Sequence, residues 1–355
     1  MYMIYAKVFA KVILENIRTL RKKLRKNVKI QAVLKADGYS LGDVTIAKIV
    51  RKHVDSFAIA AISEAERLRD AGITEPILLL GVCQDYSRAI ELGLCISINS
   101  VNEMRQLISV VKGQQNKVAV QIKVNTGLNR FGISNLWELR EILDFASSCK
   151  NVTVQGLYTH MAHEEDNIPG IDEQLRRFAP FRGLFKRLVP NGIVHAACSG
   201  SAEYLPCQFD MVRIGKIFYG GYPGYKTAVE LKAKIVSVQK VAKGETIGYR
   251  GTFRASKSMI IGAIACGYAD VASCAFSSGA VVYVDGVACR VLGRVCMDAF
   301  MVDVSEVKNP LGKMATIVSN KKGTTIMELC ESTGMITCDF LCGLNFQRTK
   351  LEIIQ

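Results

Sequence analysis

No stretch of about 18 uncharged apolar residues occurs in this 355-residue chain, and a membrane-spanning helix needs that length. The opening segment Met1–Lys7 is too short for a secretion signal. Glycine-rich phosphate signatures of the GxxxxGK[ST] or GxGxxG type are absent, as are solenoid-period repeats and low-complexity segments. The twelve cysteines never take CxxC spacing, which fits buried thiols in a reducing compartment rather than a disulfide framework. Cys338 and Cys342 sit four apart, but no second pair follows to complete a zinc site. Acid is in short supply: 32 Asp and Glu against 46 Lys and Arg leave a net charge of +14. The expectation is a soluble cytoplasmic protein with no membrane contact.

Much of the basic excess lies in Arg18–Lys29 and Arg176–Arg187, which read as solvated helix faces. The run Arg21, Lys22, Lys23, Arg25, Lys26 lacks aromatic interleaving and any nucleic-acid motif, so nucleic acid is not an expected partner. The same field would favour an anionic cofactor or substrate.

At 39.0 kDa the chain suits two domains, or one large barrel with an appendage. Eight short apolar runs alternate with amphipathic segments over the first 220 residues or so. The runs are Lys29–Lys35, Ser56–Ala60, Pro76–Leu80, Leu94–Ile98, Val118–Val124, Val152–Tyr158, Gly192–Ala196 and Phe209–Arg213. Helical patterns fall at Ser63–Ala71, Val101–Val111, Leu136–Ser147 and Ile171–Leu188. Ser63 followed by Glu66 reads as a capping box, and Gly72 and Gly113 as helix stops. This alternation predicts a parallel (β/α)8 TIM-like barrel over residues 9–225, with site residues at the C-terminal ends of its strands. Beyond it, Val229–Val241, Met259–Ala265, Ala280–Val284, Val287–Leu292 and Phe300–Val304 are strand-like. Turns are expected at Asp285-Gly286 and Lys322-Gly323, and only Thr325–Ser332 looks helical. A mostly β domain is therefore expected over residues 226–355, with residues 1–8 added to it, since Tyr2–Ile13 is also β-like.

Lys35 ends the first of the eight runs, in Val-Leu-Lys-Ala-Asp-Gly-Tyr-Ser-Leu-Gly. A partly desolvated lysine at a barrel mouth can lose its proton and form a Schiff base with a carbonyl compound, although an ordinary surface lysine would also fit that position. Tyr39 lies close enough in sequence to share the site.

The segment Lys35–Gly42 resembles the pyridoxal-phosphate lysine motif of alanine racemases, Lys-Ala-Asn-Ala-Tyr-Gly-His-Gly. The resemblance recurs in order at Lys123-Val-Asn-Thr-Gly-Leu-Asn-Arg130-Phe-Gly, Thr159-His160-Met-Ala, His195-Ala-Ala-Cys-Ser199 and Met211-Val-Arg213-Ile-Gly215. It continues at Gly248-Tyr249-Arg-Gly, Gly267-Tyr268-Ala-Asp270 and Gly293-Arg-Val-Cys-Met297-Asp298. Eight motifs in order over nearly the whole chain are specific where any one alone is weak.

The resemblance implies a pyridoxal-phosphate-dependent racemase acting on a small amino acid as a homodimer with shared sites, and supplying D-alanine to the cell wall. Lys35 would hold the cofactor and serve as one acid/base, and Tyr249 from the partner subunit would serve as the other. A proton removed from one face and delivered to the other calls for two bases. His160 and Arg213 would both bind the cofactor and help lower the tyrosine's pKa, with Arg213 facing the pyridine nitrogen. Tyr39, Ser199, Gly215 and Lys216 would hold the phosphate. Arg130 would hold the substrate carboxylate or the cofactor phenolate, steadied by Lys123, which is often carboxylated in this family. Met297 would offer its amide to the carboxylate, Asp298 would frame the pocket, and Tyr268 resembles the entrance tyrosine. Asp37, Gly38, Ser40 and Leu41 depart from the lysine motif, Asn125 replaces an aspartate, and Cys198 replaces an asparagine. Leu344–Lys350 departs from the usual Arg-Val-Pro-Arg ending, and Phe346 falls where many members carry tyrosine. That change brings serine in as a second substrate beside alanine. The rival readings are a barrel-plus-β decarboxylase and a family member that binds the cofactor without racemising.

Overall fold

The computed structural model describes residues 3–112, 116–271, 273–345 and 349–355. The chain packs as two units, one of residues Arg18–Gly215 and the other of Met1–Ile17 with Lys216–Gln355.

In the first unit eight parallel strands close into a barrel. Counting Ile4–Phe9 as β1, they are β2 (Lys29–Val33), β3 (Ser56–Ile59), β4 (Ile77–Leu79), β5 (Cys95–Ile98), β6 (Val118–Lys123), β7 (Val152–Tyr158), β8 (Ile193–Cys198) and β9 (Met211–Ile214). All eight expected strands are present. They were readable because a barrel strand is buried on both faces and so appears as an unbroken apolar run. Every residue of β4 and β5 is buried. The barrel interior is not wholly apolar. Gln31, Ser97, Gln121, His195 and Arg213 are each at most 5% exposed, and all lie on barrel strands. Register places Gln31 beside Arg213 and Ser97 beside Gln121.

Helices cover the outside for ordinary reasons. In Val101–Val111 the buried residues Val101, Met104, Leu107 and Val111 recur at helical spacing, and Ser100 caps the start by accepting from the Glu103 amide at 3.2 Å. The expected capping box at Ser63 and Glu66 is corrected. The helix is Ile62–Asp70, and it is Glu64 that accepts from the Ala60 and Ala61 amides, while Glu66 pairs with Arg88 at 2.7 Å. Gly72 follows this helix with φ 79°, as a helix stop does; Gly113 lies outside the described residues.

The second unit is mostly β. Its sheet runs Met259–Ile264, Phe300–Asp303, Val287–Leu292, Val281–Val284, Met314–Val318, β10 (Val229–Val241), β1 and Thr349–Ile354. β10 also pairs with Met259–Ile264, so the sheet folds back on itself. A register shift between Ile235 and Ser237 lets this one strand serve both partners. Asp285 and Gly286 have φ of 50° and 84°, the geometry of a tight hairpin turn between two of these strands. Two expectations are corrected. The β-like N-terminal segment ends at Phe9, and Ala10–Lys23 is helix; Thr337–Cys342 is a second helix beside Ile326–Thr333. The apolar face of Ala10–Lys23 (Ile13, Ile17 and Leu20) is buried and overrides β propensity.

Gly156, where β7 passes β8, has no room for a side chain: a Cβ would lie 2.7 Å from the Ile193 carbonyl oxygen. Gly156→Ala should destabilise the barrel by about 1–3 kcal/mol in urea unfolding, without altering the second unit's content of β structure.

Candidate active site

Lys35 directly follows Leu34 at the end of β2 and opens a turn of unusual handedness. Ala36, Asp37, Gly38, Tyr39 and Ser40 all have φ between 52° and 63°. Left-handed backbone costs an L-residue about 1–2 kcal/mol, so this turn persists only because its surroundings hold it. It turns Tyr39 inward, 7% exposed, toward the end of β9. A Cβ on Gly215 would lie 2.0 Å from the Tyr39 hydroxyl oxygen, so only glycine lets the phenol approach this closely. The Gly215 amide donates to Ser199 Oγ at 3.2 Å, which brings two hydroxyls and a backbone amide into one cradle. Lys216, the next residue, begins the second unit.

Arg213 lies 3% exposed and is held through both terminal nitrogens. Its Nη2 donates to the carbonyls of Thr159 at 2.7 Å and Ala196 at 2.9 Å, and lies 3.1 Å from His160 Nδ1. Its Nη1 lies 2.5 Å from His195 Nδ1. Guanidinium only donates, so His195 Nδ1 accepts and its proton is on Nε2, which donates to Gln121 Oε1 at 2.7 Å. Burial and the adjacent Arg213 charge hold His195 and His160 well below the ordinary imidazole range. Tyr158 stacks on His195 with ring centroids 4.8 Å apart and donates to Ser97, whose own hydroxyl donates to the Leu79 carbonyl.

Lys123, 4% exposed at the end of β6, is pulled down to about 8 by burial and then by Arg130, Arg213 and Lys35. Its ammonium lies 5.0 Å from the Phe131 ring centre and 5.6 Å from that of Tyr158. Arg130 is exposed on a loop that folds back, the Ile133 amide donating to the Lys123 carbonyl at 2.9 Å. Asn125 organises this loop by accepting from the Gly127 and Asn129 amides. Lys35, Lys123, Arg130 and Arg213 all bear electrostatically on His160, so the barrel mouth is a cationic basin.

The expected residues of the second unit assemble around one loop. A Cβ on Gly293 would lie 2.5 Å from the Ile247 carbonyl oxygen, which sets the segment carrying Tyr249 against this loop. Further along it, the Tyr268 amide donates to the Cys296 carbonyl at 3.0 Å, and the Ala269 amide to that of Met297 at 2.9 Å. Tyr249, Tyr268 and Met297 are 68%, 48% and 58% exposed, and Asp298 is exposed too. Asp270 is fully buried and accepts from the Gly267 amide. Phe346 lies outside the described residues. His195, Gln121 and Tyr158 belong to the network around Arg213, although no motif assigned them a role. Single polar residues inside apolar barrel strands were the available sign.

These features define a two-unit protein whose parallel barrel carries a lysine on a strained turn in a cationic mouth. Models of the alanine racemase N-terminal and C-terminal domains match residues 10–223 and 228–351. The chain is 31% identical to the alanine racemase of Desulforamulus reducens, over 99% of both chains. The biosynthetic alanine racemase of Pseudomonas aeruginosa superimposes with a TM-score of 0.90 at 26% identity, covering all of both chains. The alanine racemase of Bacillus anthracis, solved with bound L-Ala-P, gives 0.87 at 27% identity, covering 100% of this chain and 96% of that one. The chain belongs to the alanine racemase family.

Because both histidines stay neutral in the folded chain, the unfolded state binds more protons below about pH 6.5, and stability falls as pH drops through that value. Urea midpoints at about pH 7.5 and about pH 5.5 should show this loss, and His195→Gln should lose less between them. Equal losses in the two proteins would assign the effect to other groups.

Proposed function

We propose that the protein is a pyridoxal-phosphate-dependent alanine racemase that interconverts L- and D-alanine in the cytoplasm and supplies D-alanine for cell-wall building. The observation that carries the reading is the convergence of Lys35, Lys123, Arg130 and Arg213 on His160 at the mouth of a racemase-family barrel. Pyridoxal phosphate fits the residues present. The hydroxyls of Tyr39 and Ser199, gathered at Gly215, offer neutral donors for a phosphate, and the basin favours an anion. Lys216 would add its backbone amide to that cradle.

Bound pyridoxal phosphate supplies an electron sink that acidifies the Cα–H bond of an amino acid. Lys35 would hold the cofactor covalently at rest and, with its amine freed when the substrate amine takes its place, would exchange the Cα proton at Nζ, while Tyr249 Oη would exchange it on the opposite face. Arg213 would donate a hydrogen bond to the ring nitrogen without surrendering a proton, which would keep the electron sink weak and favour prompt reprotonation at Cα. Its own alignment comes from neutral His195. His160 is held neutral, so of the two groups expected to bring positive charge to Tyr249 only Arg213 is a cation. Arg130 takes the substrate carboxylate together with the Met297 amide, Asp298 frames the pocket, and Tyr268 guards the entrance. The exposure of Tyr249, Tyr268 and Met297 supports a homodimer in which a second copy brings these residues to Lys35. A lysine held to about 8 is partly neutral at physiological pH, so Lys123 can add carbon dioxide, releasing a proton and becoming an anion able to steady Arg130. Serine remains the alternative substrate, because methyl and hydroxymethyl differ by only about 1–3 kcal/mol in such a pocket.

Chiral chromatography of the cofactor-loaded protein should show D-alanine forming from L-alanine faster than D-serine from L-serine. Tyr249→Phe should keep the bound-cofactor absorbance and lose about 10²–10⁴-fold in rate, whereas Lys35→Ala should lose that absorbance. Faster D-serine would reassign the substrate, and full activity of Tyr249→Phe would remove it as a base. Carbon-13 NMR with labelled bicarbonate should give a carbamate resonance that Lys123→Met abolishes; an unchanged spectrum would leave Lys123 a plain amine.

A further inference from the structure

The strained turn that carries Lys35 is held from outside by one face of the helix Ile62–Asp70. Glu64, 7% exposed, accepts from the Ala36 amide with Oε1 at 2.6 Å and from the Ala60 amide with Oε2 at 2.8 Å. One carboxylate thus ties the residue after Lys35 to the end of β3. Three positions on, Arg67 donates Nη2 and Nε to Asp43 Oδ2 at 2.6 and 3.1 Å. Asp43 is 2% exposed, and its amide donates to Asp37 Oδ1, inside the turn, at 3.0 Å. Position 37 is among those that depart from the family's lysine motif, and position 41 holds a leucine 1% exposed in place of that motif's histidine. Burial, with the neighbouring Asp43, pushes the Asp37 carboxyl up, and Arg67 opposes this. The Asp43 amide and the Arg67 guanidinium together offset the crowding of two adjacent carboxyls in this turn, and Arg67 is the cation paired with Asp43.

We propose that Arg67 and Glu64 are positioning residues for Lys35, acting through Asp43 and Asp37 and through the Ala36 amide. The inference rests on the reading of Lys35 as cofactor anchor and proton carrier. Removing Arg67 leaves Asp43 buried without its cation, and the left-handed backbone relaxes toward ordinary geometry. Lys35 Nζ then spends less time where it can act, and a misplacement of about 1 Å can cost about 10²-fold in rate.

The test uses full-length cofactor-loaded protein with Arg67→Met, Arg67→Lys and Asp43→Asn, each judged by three measurements. Backbone amide exchange over residues 35–43 should rise about tenfold in Arg67→Met, with the rest of the barrel unchanged. The kcat for L-alanine should fall about tenfold, with KM held within about twofold. Borohydride trapping of the cofactor on Lys35 should slow. Arg67→Lys should recover part of each effect, and Asp43→Asn should behave like Arg67→Met. If Arg67→Met fails to fold, Arg67→Lys and Asp43→Asn carry the same comparison. Unchanged exchange over 35–43 in the folded variants overturns the proposal, as does a loss of stability with kcat retained. Should the wild type not racemise alanine, the function reading fails, while exchange and trapping still decide the role of Arg67.

Discussion

A guanidinium buried inside a barrel is the constraint on which the rest of the first unit depends. Arg213 is 3% exposed, and an ion so placed is tolerated only when its donors are met. The Thr159 and Ala196 carbonyls and His195 Nδ1 take three of them. That arrangement needs a neutral His195 of one tautomer, and Gln121 selects the tautomer by accepting from Nε2. Tyr158 then lies flat on the imidazole and is anchored by Ser97. The polar layer is thus a set of consequences of one charge, running across β9, β8, β6, β7 and β5.

The same charge reaches the mouth of the barrel. It helps lower Lys123 and adds to the burial that keeps His160 neutral, so the basin holds cations and an uncharged imidazole. Such a basin suits an anion with an aromatic body. On its other side stands Lys35 on a left-handed turn, a conformation that local propensity resists and that Glu64 and Asp43 sustain. The rigid polar layer beneath and the tethered turn beside it leave few positions open to the lysine amine, as proton transfer at a fixed carbon requires. Within the second unit a single loop sets Tyr268 and Met297 together and lies against the segment of Tyr249, with all three side chains exposed.

Most of the barrel was legible in the chain because β strands buried on both faces must be apolar throughout. β7 spans the residues that its pattern indicated, and the other barrel strands differ by one or two residues at their ends. The site was legible as ordered motifs, since Lys35, Lys123, His160, Ser199 and Arg213 each stand at or just past a barrel strand's C-terminal end. Short elements were less readable. Asp43–Val50 and Tyr86–Glu91 are too brief for helical periodicity to stand out, and Thr349–Ile354 is a strand only because Ile4–Phe9 lies beside it.

By itself, then, the sequence determined the alternation of strand and helix, the β character of the second unit and the residue types available for chemistry, because these follow from periodicity and composition. Only the tertiary structure decided the handedness of the turn at Ala36–Ser40, the tautomer of His195 and the lowered Lys123. Each depends on groups far apart in the chain, Gln121 and His195 being 74 residues apart. Closing the barrel brings such groups within hydrogen-bond reach, and excluding water makes their charges felt.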